Sequence, residues 1–242
     1  MSFLHFVVIF GWQFVGIYLF ASGFLLSKTV HPNATCNTGI NECIPPLQAR
    51  FKRICIVLID ALRFDFAKFD AFPLMKPIPR FLNRLPIFHR LLNEHPKQAA
   101  LFRFIADAPT TTLQRVKSLT TGSLPTFIDI GENFNSRALS EDNIIAQLYA
   151  ANRSVVVLGD EIWGQLFPDL FKRHFLFPSL DVADFHSVDY GIISNIFNEM
   201  NKSDWDVIIC HFLGVDHIGH RVGPDHPAMA TKVSPHIIYT YI

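Results

Sequence analysis

The chain has 242 residues, of which half are hydrophobic and 17% are charged, and its 21 basic residues offset 21 acidic ones. The high apolar content excludes an intrinsically disordered chain, and the balanced charge provides no general attraction to nucleic acid or to anionic membranes. Four cysteines are too few for a disulfide scaffold. The composition therefore predicts a core-forming domain accompanied by an unusually apolar segment.

The apolar segment is the N-terminus, because residues 1–27 contain no Asp, Glu, Lys or Arg. Residues 3–26 are almost wholly apolar, and a helix of that length spans a hydrocarbon core of about 30 Å. A cleavable signal peptide usually starts with a basic region and has a shorter apolar core. We therefore predict a retained single-pass membrane anchor over residues 1–27, in preference to a cleaved signal or a buried core helix.

Residues 28–49 are predicted to form a lumenal stalk between the anchor and the folded domain. All glycosylation sequons come after the anchor, which is consistent with a lumenal domain, and their candidate residues are Asn33, Asn152 and Asn201. Cys36 and Cys43 lie close together in the stalk and are candidates for a small disulfide. Two other cysteines, Cys55 and Cys210, lie in apolar runs and are predicted to be buried free thiols.

Three short, apolar, β-branched runs predict strands that are buried on both faces, at residues 53–60, 154–159 and 206–213. Helical patterns accompany them at residues 87–92, 113–121, 141–151 and 188–200. Strands alternating with helices predict an α/β fold with a mostly parallel sheet. In such sheets ligands bind beyond the carboxyl ends of the strands, and acidic residues follow the runs at that position.

Asp60 ends the first apolar run, where an acid is either a cap for the structure that follows or a metal ligand. Three consecutive threonines, 110–112, precede the helical stretch 113–121, and such residues usually supply an N-cap. Alternatively, one hydroxyl at the helix N-terminus is a nucleophile, because helix N–H groups stabilise an alkoxide and a bound phosphate. A nearby divalent metal would lower the pKa of that hydroxyl further.

The segment 211–220 places three histidines and one aspartate just after the third apolar run. Asp216 and His220 are four residues apart with a glycine between them, which would give the backbone freedom to bring both onto one cation such as zinc. Together, an acid at a strand end, a hydroxyl at a helix start and an Asp/His pair indicate metal-assisted transfer at phosphorus with a covalent threonine intermediate.

Four segments carry a more specific resemblance: LIDALRFDF, PTTTLQRVKSLTTGSLPTFID, GDEIWGQLFP and HFLGVDHIGHRVGP. In this order they resemble the lumenal domain of the GPI ethanolamine-phosphate transferases. The pattern is most similar to the class O branch, which modifies the third mannose, and class G shares much of it. The resemblance implies an alkaline-phosphatase-like α/β fold with two zinc ions, and an incomplete version of that domain at residues 50–234.

The resemblance also implies roles for individual residues. Asp60 would bind one zinc, and Thr112 would be the nucleophile bound to the same ion, with Thr110 as the alternative. Asp216 and His220 would bind the other zinc, and Asn133 would contact the phosphate oxygens. Relatives have further Asp and His ligands downstream, so the sequence leads us to expect a truncated product with an atypical tail at residues 235–242.

The function implied by the resemblance is transfer of phosphoethanolamine from phosphatidylethanolamine to a mannose of the GPI-anchor precursor. The implied location is the endoplasmic reticulum membrane, with a small membrane subunit as a possible further partner. Two alternatives stay open. One is a phosphodiesterase or pyrophosphatase that uses water as the acceptor, and the other is an inactive membrane-anchored fragment.

Overall fold

The computed structural model describes residues 3–24, 51–108, 110–124 and 138–234, and the chain divides into two compact units. One unit comprises Met1–Gly39 with Ala106–Ile144, and the other comprises Ile40–Ile105 with Ile145–Ile242. The predicted stalk, the tail at residues 235–242, and the residues Asn33, Asn133, Cys36 and Cys43 lie outside the described residues. What the sequence predicts for them stays a prediction.

Along the chain, one or more helices lie between successive strands. The described strands are β1 (Ile54–Ile59), β2 (Val155–Asp160), β3 (Arg173–Phe177) and β4 (Val207–Phe212). The described helices are α1 (Phe3–Phe24), α2 (Phe64–Ala67), α3 (Ile87–Glu94), α4 (Thr112–Thr121), α5 (Ile144–Ala150), α6 (Ile162–Leu166), α7 (Ser187–Met200), α8 (Gly214–Val222) and α9 (Pro227–Lys232).

Helix α1 contains the uncharged N-terminal segment. It has 22 residues, which corresponds to a length of about 33 Å, and is therefore long and apolar enough to cross a membrane. Its large side chains are exposed, including Phe3 and Trp12, which is not the environment of a buried core helix. By length and composition, α1 is a candidate membrane span, as the sequence predicts.

The four strands form one parallel sheet in the order β1-β4-β2-β3. This arrangement confirms the predicted α/β fold with a parallel sheet. Strand β2 is buried throughout and β4 is buried up to its last residue, because each of them has a neighbouring strand on both sides. Helix α7 packs on the sheet and forms a core with it, which includes Leu158, Ile192 and Ile208.

The prediction that β1 is buried on both faces is wrong. Ile54, Cys55 and Ile56 are exposed, because β1 is the outermost strand of the described sheet and pairs there with β4. Cys55 is therefore an exposed residue with a partly buried thiol, whereas Cys210 in β4 is buried as predicted. A hydrogen bond with Cys210 lowers the pKa of the Cys55 thiol to about 7, although partial burial raises it.

The predicted helices are present with shifted ends. Helices α3, α4 and α7 match the predictions within about two residues, whereas α5 begins at Ile144 instead of residue 141. The sequence patterns do not predict β3, α2, α6, α8 or α9. Helix α4 ends at Gly122, whose φ of 70° is the left-handed conformation that glycine favours after a helix.

A second hydrophobic cluster, under α8 and α9, lies next to the carboxyl end of β1. Phe66, Val215, Ile218 and Met229 form its buried centre, and Ile59 and Leu62 pack against it. Ile59 and Leu62 flank Asp60 in sequence, while Val215 and Ile218 flank Asp216. This packing therefore brings the segments that carry the two carboxylates into one region.

Candidate functional site

Asp60 follows β1 directly and opens a tight turn. Its backbone N–H donates to the carbonyl of Phe212 at 2.9 Å, which continues the pairing of β1 with β4. Its Oδ1 accepts the N–H of Ala61 at 2.8 Å, and Ala61 has a left-handed φ of 53°. Asp60 does not cap α2, whose N-cap is Arg63. The carboxylate instead stabilises the turn through one oxygen.

The second carboxylate oxygen of Asp60 faces a histidine of the neighbouring strand. Its Oδ2 lies 3.6 Å from Nε2 of His211, whose side chain is 4% exposed. The other ring nitrogen of His211, Nδ1, accepts the indole N–H of Trp163 at 3.1 Å. A row of three side chains therefore runs from Trp163 through His211 to Asp60.

Asp216 and His220 lie on one face of α8, because residues four apart in a helix are neighbours. Oδ1 of Asp216 and Nε2 of His220 are 3.5 Å apart, and the histidine side chain is 67% exposed. The idea that Gly219 gives backbone freedom here is wrong. Gly219 is within the helix and lacks a positive φ, so the helical repeat alone brings the pair together.

A buried ion pair fixes the start of α8. Oδ1 of Asp189 accepts the N–H groups of Leu213 and Gly214 at 3.0 and 3.1 Å, and its Oδ2 is 2.9 Å from Nζ of Lys232. A Cβ on Gly214 would lie 2.3 Å from the Lys232 side chain and 2.4 Å from Oδ2 of Asp189, so a larger residue there would displace the ion pair. The network holds the first turn of α8, which contains Asp216.

The electrostatic surroundings of Asp216 disfavour its charge. Burial raises the pKa of the Asp216 carboxyl, and the negative charge of Asp60 raises it further, while His220, His217 and His211 oppose these effects. Two carboxylates that influence each other in this way are stabilised together by a bound cation.

His217, the remaining histidine of α8, forms its hydrogen bond outside this pair. It is buried, and its Nδ1 donates to the carbonyl oxygen of Asp184 at 2.7 Å. Asp160, at the end of β2, is 2% exposed and accepts the N–H of Ile162 at 2.9 Å. Asp160 thus stabilises the turn after β2.

Thr112 is the first residue of α4, in the other unit, and is partly buried. The sequence predicts a threonine N-cap there, and Thr111 is at the N-cap position. Its side chain, however, makes no capping hydrogen bond, and only its carbonyl takes part, by accepting the N–H of Arg115 at 3.0 Å. Thr110 is exposed. The placement of Thr112 at a helix start agrees with the nucleophile prediction and does not test it.

The ligands that a zinc ion needs can be compared with the side chains that are present. Ligand atoms about 2.0–2.2 Å from a tetrahedral zinc lie about 3.3–3.6 Å apart. The 3.5 Å between Asp216 and His220 matches this separation, and Asp and His are zinc ligands in kind. The number of ligands is too small, because the described residues contain no group of three or more His, Cys, Asp or Glu suited to a metal.

The sequence does not predict the contact between His211 and Trp163. Both residues lie in the motifs HFLGVDHIGHRVGP and GDEIWGQLFP, but 48 positions separate them, and only the packing of α6 against the end of β4 shows that they meet. The described glycosylation candidates, Asn152 and Asn201, are exposed at turns or helix ends, as a modified asparagine must be.

Curated relatives support the resemblance read from the motifs. The chain is similar to GPI ethanolamine phosphate transferases. The catalytic subunit of transferase 3 from Homo sapiens is 46% identical over 240 residues, which is 91% of this chain and 22% of the relative. Transferase 3 from Saccharomyces cerevisiae is 42% identical over 227 residues, again 91% of this chain and 22% of the relative.

Relatives of another class match less well. The catalytic subunit of transferase 2 from Homo sapiens is 38% identical over 205 residues, which is 84% of this chain and 19% of the relative. The comparison therefore favours the class O branch. No protein-family profile and no solved structure matches the chain. The chain spans about a fifth of the length of the curated relatives it matches.

Proposed function

We propose that this chain carries part of the catalytic apparatus of a class O GPI ethanolamine-phosphate transferase. In this reaction, phosphoethanolamine passes from phosphatidylethanolamine to the third mannose of the GPI-anchor precursor. The observation that supports the proposal most strongly is the 46% identity with transferase 3 over 91% of the chain.

The local geometry of the matched motifs also supports the proposal. Asp60 lies at the carboxyl end of a parallel strand, where α/β sheets bind ligands, and Asp216 and His220 lie 3.5 Å apart on α8. Asp60 would be a ligand of one zinc ion, and Asp216 and His220 would be ligands of the other. When bound, zinc supplies Lewis acidity that stabilises negative charge on phosphoryl oxygens.

Thr112 has the role of nucleophile in this proposal. Its Oγ1 attacks phosphorus, the bond from phosphorus to the diacylglycerol oxygen breaks, and phosphoethanolamine becomes bound to the threonine. The proton of the threonine hydroxyl passes to the departing oxygen, so that diacylglycerol leaves as an alcohol. A mannose hydroxyl then attacks phosphorus and releases Thr112, and the proton of that hydroxyl passes to the threonine oxygen. The start of α4 suits this role, because helix N-termini favour negative charge.

The endoplasmic reticulum membrane is the proposed location, with α1 as the anchor and the folded units in the lumen. The length and apolar composition of α1 support this topology, as do the exposed sequon residues Asn152 and Asn201. A lipid donor is also accessible to a protein held at the membrane surface. A small membrane subunit remains a proposed partner.

The test is covalent labelling of the whole chain. The chain is purified in detergent with zinc and incubated with phosphatidylethanolamine that carries a labelled headgroup, in the presence or absence of a mannose-containing GPI precursor. The expected result is label bound to the wild-type chain and to Thr110→Ala, absent from Thr112→Ala, and transferred to the precursor when it is present.

The alternatives give different results. Release of free labelled ethanolamine phosphate without any acceptor would favour a phosphodiesterase. No bound label in the wild-type chain, with Thr112→Ala indistinguishable from it, would favour an inactive anchored fragment.

A further inference from the structure

Residues 70–83 form a surface loop whose two ends are tied together. Oδ1 of Asn83 accepts the N–H of Asp70 at 2.8 Å, and Nδ2 of Asn83 donates to the carbonyl oxygen of Asp70 at 2.7 Å. Oδ1 of Asp70 in turn accepts the N–H of Phe72 at 2.9 Å. Loops of this length with adjoining ends are compact units of their own. We call residues 72–79 the tip of this loop.

The base of the loop is fixed in the core, and the backbone of the tip is restricted. Phe81, just after the tip, is buried, and its ring centroid lies 4.5 Å from that of Phe66. The tip contains three prolines, each with a fixed φ, at Pro73, Pro77 and Pro79. The tip therefore has little conformational freedom to lose when it binds a partner.

The tip exposes large apolar side chains. Leu74 is 96% exposed and Phe72 is 87% exposed, and Met75 and Ile78 are exposed as well. A single exposed apolar side chain is ordinary, whereas several on one short loop indicate a surface that contacts an apolar partner.

Basic residues surround these apolar side chains. Residues 68–84 contain one acid, Asp70, and four exposed basic residues, which are Lys68, Lys76, Arg80 and Arg84. This segment is therefore positively charged, although the charges of the whole chain balance. An apolar tip with Lys and Arg beside it suits a membrane surface, where apolar side chains enter the lipid and basic ones contact phosphate groups.

Helix α1 would keep such a surface within reach. If α1 anchors the chain, the 26 residues between Phe24 and Phe51 can span at most about 90 Å from the bilayer. Tethering raises the effective concentration of the bilayer around the loop, so a contact made by a few side chains is sufficient. A separate protein would have to bind the same small tip from solution. The tether and the positive charge therefore favour the bilayer as the partner.

We propose that the tip docks on the phospholipid surface of the bilayer that holds α1. Its four exposed apolar side chains enter the lipid, and Lys76 and Arg80 contact the phosphate groups. The inference rests on the proposed function, since it takes α1 as the membrane anchor. Docking holds the unit that contains Asp60 and Asp216 at the surface where a lipid donor lies.

The experiment uses the full chain reconstituted in vesicles of phosphatidylcholine, with or without phosphatidylserine. An environment-sensitive fluorescent amino acid replaces Leu74 in one chain and Leu180 in another. Leu180 is the matched control, because it is also on a loop and 90% exposed, but two acids, Asp181 and Asp184, follow it. Quenching by lipids with a nitroxide on the acyl chain reports lipid contact. Flotation with the vesicles after an alkaline wash, in a parallel sample, reports anchoring by α1.

We expect nitroxide lipids to quench the label at position 74 and to leave the label at position 180 unchanged. Phosphatidylserine should strengthen the quenching at position 74, and high salt should reverse that gain. Lys76→Gln and Arg80→Gln should each lower the ratio of docked to free tip by about fivefold on vesicles with phosphatidylserine. Phe72→Ser should weaken docking on both kinds of vesicle. All three side chains are exposed, so these variants should melt like the parent chain in detergent.

Three results would overturn the inference. Equal quenching at positions 74 and 180, or none at either, in a chain that floats would refute docking and leave the anchor intact. Quenching at position 74 that Phe72→Ser, Lys76→Gln and Arg80→Gln all leave unchanged would show that the tip does not make the contact. A chain that does not float with the vesicles would refute both the anchor and the docking.

Discussion

The acids before the amino ends of β3 and β4 have different partners from Asp60 and Asp216 at the carboxyl end of the sheet. Before the amino ends of β3 and β4, an amino-end network pairs each acid with Arg or Lys. Arg173 binds Glu199 at 2.7 Å and Asp204 at 2.8 and 2.9 Å, and Glu199 also binds Lys202 at 2.5 Å. At the carboxyl end, Asp60 lies 3.6 Å from His211, and Asp216 lies 3.5 Å from His220.

This difference separates structural acids from candidate functional acids. Arg and Lys carry a permanent charge, so the amino-end network is neutralised within the protein. Hydrogen bonds from Arg173 and Lys172 hold the pKa of Asp204 well below its usual range. At the other end the pKa of Asp216 is raised, chiefly by burial and then by Asp60. The carboxyl end therefore has negative charge that a cation would stabilise.

The largest loss of stability should come from a substitution that disrupts the close backbone contact between β2 and β4 near the carboxyl end of the sheet. Gly159→Ala places a Cβ 2.3 Å from the carbonyl oxygen of His211 at a left-handed φ, and should lower the free energy of unfolding by about 3 kcal/mol or more. Gly219→Ala is the matched control, because it is helical and exposed, with its nearest neighbour 4.0 Å away. It should stabilise the chain by about 0.5–1 kcal/mol. Urea unfolding measures both, and equal effects would contradict the account.

Breaking the amino-end network should lower the free energy of unfolding by a smaller amount. In Arg173→Met, Glu199 keeps Lys202 but loses its other cation while 2% exposed, so the free energy of unfolding should fall by about 2 kcal/mol. The control is Arg90→Met, since the Arg90–Glu94 pair is exposed and 4.0 Å apart, and its loss should cost under about 0.5 kcal/mol. Thermal melts compare the two, and an unchanged melt for Arg173→Met would show that the network is not stabilising.

Low pH should remove the stability that acids with lowered pKa values provide, and Glu199 and Asp184 are two such acids. Burial raises the pKa of Glu199, but hydrogen bonds from Lys202 and Arg173 outweigh burial and keep it below its usual value. Hydrogen bonds from Ser187 and His186 lower the pKa of Asp184 to about 2. Carboxyls with lowered pKa values stabilise the fold above their unfolded pKa and lose that contribution as pH falls. The free energy of unfolding should therefore decline below about pH 5, and most steeply between about pH 4 and 2.

Arg173→Met provides the control for this pH dependence. Without Arg173 the pKa of Glu199 rises toward its usual value, so the decline in stability should be shallower than in the wild-type chain. A steeper decline would contradict the assignment.

The smallest expected effect is a gain in stability, whereas Gly159→Ala and Arg173→Met lower it. Asp216→Asn removes a carboxylate whose charge is disfavoured, so the metal-free chain should become more stable at pH 7. The gain should stay under about 1 kcal/mol, because a partly exposed charge is screened by solvent. Asp204→Asn, in the amino-end network, should instead lower stability slightly. Chemical unfolding in the presence of a chelator measures both, and a loss of stability in Asp216→Asn would contradict the account.

The strands show what could be predicted from the sequence. The apolar runs of β2 and β4 predict buried strands correctly, whereas the equally apolar β1 is half exposed. The difference lies in the strand order, which places β1 at the edge and is not encoded in the strand's own composition. Strand β3, RHFLF, was missed because its first residues are basic and polar and its sequence lacks a continuous apolar run.

The candidate site shows the same limit. Asp60, Asp216 and His220 could be predicted because their positions depend on local features, a strand end and a four-residue spacing. The contact of Trp163 with His211 could not, because it joins residues 48 positions apart through tertiary packing. The sequence predicts that this helix begins at residue 113, and in the structure α4 begins one residue earlier, at Thr112.

Zinc content tests the central claim most directly. The full chain, purified in detergent with zinc and freed of loose metal, is analysed beside Asp60→Asn, Asp216→Asn and Asp204→Asn. The account predicts that the wild-type chain retains zinc, that each of the first two variants retains less, and that Asp204→Asn retains as much as the wild-type chain. Equal zinc contents in all four proteins, or none in the wild-type chain, would contradict a metal centre at the carboxyl end of the sheet.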